Sequence, residues 1–139
     1  MQKIVAKSAR EIGTILDYVH DRVFRLSEVQ FDKESSTLSI PLTVISDEVT
    51  DQKKFWLFIN TWKIPVVEAT LLIKNARDYS VKDEAQINQG DVNTITKKDD
   101  HVVIKCGLPV EIQVKVTALE IELAMSDTIT SQKTRFAFG

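Results

Sequence analysis

VEIQVKVTALEIELAM, Val110 to Met125, carries the most regular alternation in the chain. Val110, Ile112, Val114 and Val116 share one parity, Leu119, Ile121 and Leu123 share the other, and Thr117 and Ala118 lie at the change. A period of two marks a half-buried strand, because successive side chains point to opposite faces of a sheet. Run straight, about 15 residues at roughly 3.3 Å each would reach nearly 50 Å, whereas a compact chain of this length has a diameter of about 37 Å. The strand must therefore bend. The parity change at Thr117 and Ala118 predicts a β-bulge, which turns the strand while keeping its apolar side inward.

The same period recurs upstream. Val102, Ile104 and Cys106 alternate on one face of His101 to Cys106, and this segment flanks KKDD together with Val92 to Thr96, which predicts a hairpin. Leu38, Ile40, Leu42 and Val44 alternate with Thr37, Ser39, Pro41 and Thr43, as in a half-buried antiparallel strand. Proline cannot donate to a ladder, so this strand should have an open edge at Pro41. The turn-rich DKESS precedes it, and before that the parity of Phe24 and Leu26 gives way to that of Val29 and Phe31, which predicts a strand bulged near Ser27 and Glu28. Phe55 to Ile64 and Val66 to Ile73 read as two strands hinged at Pro65. Asn75 to Gln89 shows no sustained period and reads as an irregular connection or a short helix. From Ser126 onward the chain turns polar, which predicts a loose tail with Phe136 and Phe138 docking.

Only one stretch has helical spacing. Ser8 and Glu11 form an S-x-x-E capping box, and Ile12, Ile15, Leu16, Val19 and Val23 follow at intervals of three and four, predicting a helix from Ser8 to about Arg22. One N-terminal amphipathic helix and about seven mostly antiparallel strands make an α+β domain in which a curved sheet, or partial barrel, packs on the helix. The 139 residues fit a single domain, and 43% apolar with 27% charged residues is an ordinary globular balance. A formal charge of −2, with lysines and arginines scattered, argues against nucleic acid as a partner. A single cysteine precludes an internal disulfide, and Lys3, Lys7 and Arg10 interrupt any leader-like apolar run, so the expected location is cytoplasmic. The richest apolar run, FWLFI, falls far short of the roughly 20 residues that cross a bilayer, and no membrane partner is expected.

Within the helix, DYVHDR places His20 between Asp17 and Asp21. At about 100° per residue from an apolar centre at Ile12, His20 lies roughly 80° away, Asp17 about 140° and Asp21 about 180°. The histidine is thus at the boundary of the packing face while both acids turn outward. A metal reading would take the two carboxylates, one turn apart, with the imidazole nitrogen as a third ligand. An acid–base reading would have an aspartate orient His20 as a proton carrier. The bland reading is a histidine interacting with the negative end of the helix dipole. The His20-Asp21 doublet resembles that of the HD phosphohydrolases, but the earlier histidine and all-helical body of that family are missing, which excludes it. Gly13, on the same flank as His20, would permit close approach of another backbone.

Other chemistry is poorly supported. Cys106 shares its face with Val102 and Ile104 and reads as a buried, inert thiol. His101, at a hairpin turn, has the opposite parity and an exposed polar role. One cysteine and two histidines lack zinc-ligand spacing, and the four glycines form no phosphate loop, so no metal or cofactor is expected. In the aromatic segment, Trp56, Phe58 and Trp62 share one parity and Phe55, Leu57 and Ile59 the other, so something must cover both faces. Two functional readings stand. The first is a small non-enzymatic interaction or ligand-binding domain that uses Trp56, Phe58 and Trp62 against a protein partner or in a homodimer. The alternative is a metal-assisted hydrolase or acid–base enzyme that uses Asp17, His20 and Asp21 with a second acid from Asp47, Glu48 or Asp51.

Overall fold

The computed structural model describes residues 2–45, 63–107 and 109–133. Its elements run β1 (Gln2–Ala6), α1 (Ala9–Val19), β2 (Val23–Arg25), β3 (Gln30–Asp32), β4 (Thr37–Ile45), β5 (Lys63–Ile73), β6 (Ala76–Lys82), β7 (Gln89–Lys98), β8 (His101–Cys106), β9 (Glu111–Val116) and β10 (Ile121–Lys133). They form two curled antiparallel sheets, ordered β1-β10-β5-β4-β3 and β2-β7-β8-β9-β6, one of them a half-barrel. This is the expected α+β fold with curved antiparallel sheets, with ten strands among the described residues where about seven were expected.

The opening stretch bends as its length requires, by a different device. Its two parities belong to two strands in different sheets: β9 ends at Val116 and β10 begins at Ile121. A bulge and a change of sheet preserve the same inward apolar pattern, but only the change of sheet gives the two halves different neighbours. A second crossing, from β5 to β6 through Lys74 and Asn75, runs beside this one. Lys74 N–H donates to Glu120 O at 2.9 Å and Thr117 N–H to Asn75 O at 3.0 Å. Asn75 takes φ 55°, a left-handed conformation that asparagine tolerates.

The first sheet buries continuous rows of side chains. Ala6, Ile121, Ile73 and Leu38 lie in register across β1, β10, β5 and β4, and all are fully buried or nearly so. Leu123, Leu71 and Ile40 make the next row. The second sheet answers with Val102 against Val114 and Ile104 against Ile112. Ile12, Ile15 and Val19 of α1 complete the core, and the helix packs against β1, β4 and β7. Each fully buried aliphatic side chain contributes about 1.5–3 kcal/mol, so these rows dominate the stability.

Several segments depart from expectation. β1 carried no recognised signal, because only Ile4 and Ala6 of its five residues turn inward. Phe24 and Phe31 sit on two short strands of different sheets, separated by a 3₁₀ turn at Leu26–Glu28, not on one bulged strand. Pro65 is no hinge, since β5 runs through it opposite Ser131, and its described pairing with β4 ends at Val66. Residues 76–82, expected to be irregular or helical, form the edge strand β6. The segment from Ser126 is no tail as far as Lys133: β10 continues to pair with β5, after an irregularity between Met125 and Ile129. Phe136 and Phe138 lie outside the described residues. At Pro41 the expectation holds, because the pairing of β3 with β4 stops at Ser39.

Candidate functional site

The capping box forms as the sequence indicates. Ser8 Oγ accepts from Glu11 N–H at 3.3 Å, and Glu11 Oε1 accepts from Lys7 N–H at 3.1 Å. The helix stops earlier than its period suggests. His20 is the C-cap, its N–H donating to Leu16 O at 2.8 Å, and Asp21 takes φ 63°. The cause is tertiary: Asp21 N–H donates to Val92 O at 2.7 Å and Val92 N–H to Arg22 O at 3.0 Å, so the chain leaves the helix to join β7.

This ending rearranges the DYVHDR trio. Asp17 is an exposed helical residue, His20 lies at the cap with its side chain 48% exposed, and Asp21 is outside the helix. His20 Nδ1 lies 3.3 Å from Asp21 Oδ2, a contact between sequence neighbours in open surroundings. Like charges stacked one turn apart are avoided, since Asp21 no longer occupies the helical i+4 position. Among the described residues, no three histidine, cysteine, aspartate or glutamate side chains group as metal ligands. Asp47, Glu48 and Asp51, the acids that would complete a cleft, lie outside the described residues. Gly13 is exposed, and a Cβ placed there would meet nothing within 4 Å, so it permits no close backbone approach and the expectation fails there.

Cys106 pairs with Val92 across β8 and β7. Burial, then the neighbouring charge of Asp91, pushes its thiol up to about 11, leaving it protonated and unreactive at neutral pH. The surroundings are tight: a Cβ on Gly90 would lie 2.7 Å from Cys106 Sγ, and one on Gly107 2.6 Å from Asp91 Oδ2. His101 is half-buried, with Nδ1 within hydrogen-bond distance of Asp100 Oδ1 at 2.8 Å.

A cleft of about 400 Å³ opens where the β7–β8 turn meets the crossing between sheets. Lys7, Lys97, Asp99 and Asp100 line it together with residues 116–119. Three of its four charged side chains are already engaged. Lys97 Nζ donates to Asp99 O at 2.8 Å, Lys7 Nζ lies 3.8 Å from Glu120 Oε1, and Asp100 Oδ2 lies 4.0 Å from Lys115 Nζ. Such a lining can hydrogen-bond a small polar molecule. The sequence identified its hairpin turn through KKDD and missed the other walls, which only the crossing brings together.

Trp56, Phe58 and Trp62 lie outside the described residues. Residues 46–62 join β4 to β5, antiparallel neighbours whose described register ends with Ile45 opposite Val66. Among the described residues no helix is long and apolar enough to cross a membrane. Comparison with known proteins finds no matching family model, no matching curated protein and no matching solved structure.

Proposed function

We propose that this chain is a small non-enzymatic interaction domain that engages a protein partner through the aromatic segment joining β4 to β5, with Trp56, Phe58 and Trp62 as the contact residues. The observation that carries the reading is where the described chain enters and leaves that segment. It departs from and returns to one end of a hairpin whose last residue in β4, Ile45, leaves 45% of its surface exposed. Segments that join the elements of a scaffold are where binding residues are disproportionately found. Tryptophan and phenylalanine are the side chains enriched in the buried centres of protein interfaces. The low net charge and the single cysteine fit a cytosolic protein that meets neither nucleic acid nor a membrane.

The test is affinity capture with the wild-type chain and a Trp56→Ser/Trp62→Ser chain of matched circular dichroism. A partner retained by the first and lost by the second is the expected result. Identical captures from both chains refute the reading. Trp56 and Trp62 are the only tryptophans, so their emission should also shift to the blue when a purified partner is added.

A further inference from the structure

Among the described residues, β6 is the last strand of the second sheet, paired with β9 on one side. It is tied to the first sheet at its first residue, where Ala76 N–H donates to Ser36 O at 2.8 Å. From Arg77 to Lys82 every residue is exposed. Two of these are large and apolar, Tyr79 at 37% and Val81 at 38% exposure. Their register sets them opposite Val114 and Ile112, both fully buried, so they extend the core row of the sheet to a rim that the other sheet covers only in part. The Phe31 ring of β3 meets Tyr79 edge to face with centroids 5.7 Å apart, and this covers Tyr79 only in part. An accessible edge with apolar side chains is a template for another strand. The Tyr79 N–H donates to the carboxylate of its own neighbour, Asp78 Oδ1, at 2.8 Å, a local plug that an incoming carbonyl can replace.

The charges along this edge identify the strand that fits. Read antiparallel to itself about a two-fold axis through Ser80, RDYSVK sets Asp78 opposite the partner's Lys82, Tyr79 opposite the partner's Val81 and Ser80 opposite its own counterpart. Asp78 and Lys82 would share one face and the apolar pair the other. A two-fold axis through Tyr79 would instead set Asp78 opposite the partner's Ser80 and Arg77 opposite the partner's Val81, leaving the charges unanswered. Lys82 Nζ lies 3.8 Å from Glu111 Oε2 with 68% of its side chain exposed, a weak contact from which it can turn outward.

We propose that β6 pairs with β6 of a second copy about a two-fold axis at Ser80, joining the second sheets of two protomers into one continuous sheet. The interface is isologous, so each Asp78–Lys82 pair and each Tyr79–Val81 pair occurs twice. It uses none of the residues assigned to the protein partner and does not depend on that function.

Sedimentation velocity on the full chain, from low micromolar to several hundred micromolar, tests the proposal together with charge exchange. A monomer–dimer equilibrium is expected. Asp78→Lys and Lys82→Asp should each weaken it by at least about tenfold, because each sets like charges opposite one another, and the double variant should restore it. Ser80→Cys should give a covalent dimer with oxidised glutathione, since residues facing each other across a two-fold axis of an antiparallel pair lie within disulfide reach. Arg77→Cys, away from the axis, should not. A chain that stays monomeric at every concentration overturns the proposal. So does a dimer indifferent to both charge reversals, and so does a dimer lost in the Trp56→Ser/Trp62→Ser chain but kept in the charge variants.

Discussion

Arg22 holds Thr43 by two bonds, Nε donating to the carbonyl oxygen at 2.7 Å and Nη2 to the hydroxyl at 2.8 Å. Thr43 lies in β4 beyond the point where β3 stops pairing, so the guanidinium satisfies a carbonyl on that strand. The Arg22 backbone meanwhile accepts from Val92 of β7, so one residue bonds to both sheets. Burial lowers the Arg22 pKa from its ordinary value, yet arginine remains charged at any working pH. Arg22→Ala should cost about 1.5–3 kcal/mol in urea unfolding, the range for charged hydrogen bonds. Arg22→Lys should recover little of that, because an ammonium group cannot reproduce the planar fork.

Gly90 is needed for space. A Cβ there would lie 2.7 Å from Cys106 Sγ and 3.0 Å from the Phe24 ring. Gly90→Ala should destabilise by about 1–3 kcal/mol through overpacking. Adding Cys106→Ala should restore part of the loss, since it clears the nearer of the two contacts. Equal midpoints for the single and double variants in chemical denaturation would refute the steric account.

The Cys106 thiol supplies a pH prediction. Its folded pKa of about 11 lies above the ordinary value of 9.0, so between these limits the folded state holds the proton more tightly than the unfolded chain. Its stabilising contribution is fully present below pH 9.0 and is lost as pH rises through about 11. Thermal midpoints should fall over that window, and Cys106→Ala should flatten the fall. Alkylation by iodoacetamide should be slow at pH 8 and accelerate towards about pH 11.

The turn after β6 depends on one carboxylate. Asp83 Oδ1 accepts from Ile87 N–H at 2.8 Å and Oδ2 from Asn88 N–H at 2.7 Å, while Gln86 and Asn88 take φ 54° and 62°. Asp83→Ala should cost about 1–3 kcal/mol, because two amides lose a charged acceptor. Gln86→Gly should be neutral or stabilising, since glycine adopts that φ without strain. Differential scanning calorimetry on both variants checks the pair of signs.

The legible parts of the fold are those whose pattern is set by one element alone. Ser8 and Glu11 mark the start of α1, and the alternation from Leu38 to Val44 marks β4, because capping and half-burial act locally. Its end was not legible, since the hydrogen bonds that draw Asp21 and Arg22 to Val92 come from β7, some 70 residues on. β6 left no period because an edge strand needs little burial: Ala76 alone of its seven residues is buried. In the candidate sites, helix geometry rightly turned Asp17 outward but mapped Asp21 onto a turn that does not exist. The cleft beside Lys7 and Thr117 was invisible, because its walls meet only through the crossing of two sheets.

β1 and β10 pair in register from Gln2 with Met125 to Ala6 with Ile121. A strand made near the beginning of the described chain thus has no partner until one made near its end. At roughly 5–20 residues per second of ribosomal synthesis, Ala6 waits about 6–23 seconds for Ile121 to be added. During that interval, Ile4 and the edge of β10's eventual neighbour β5 are both unshielded. The first sheet is therefore completed only after synthesis has passed β10, while β7, β8 and β9, joined by short local turns, can pair as they emerge.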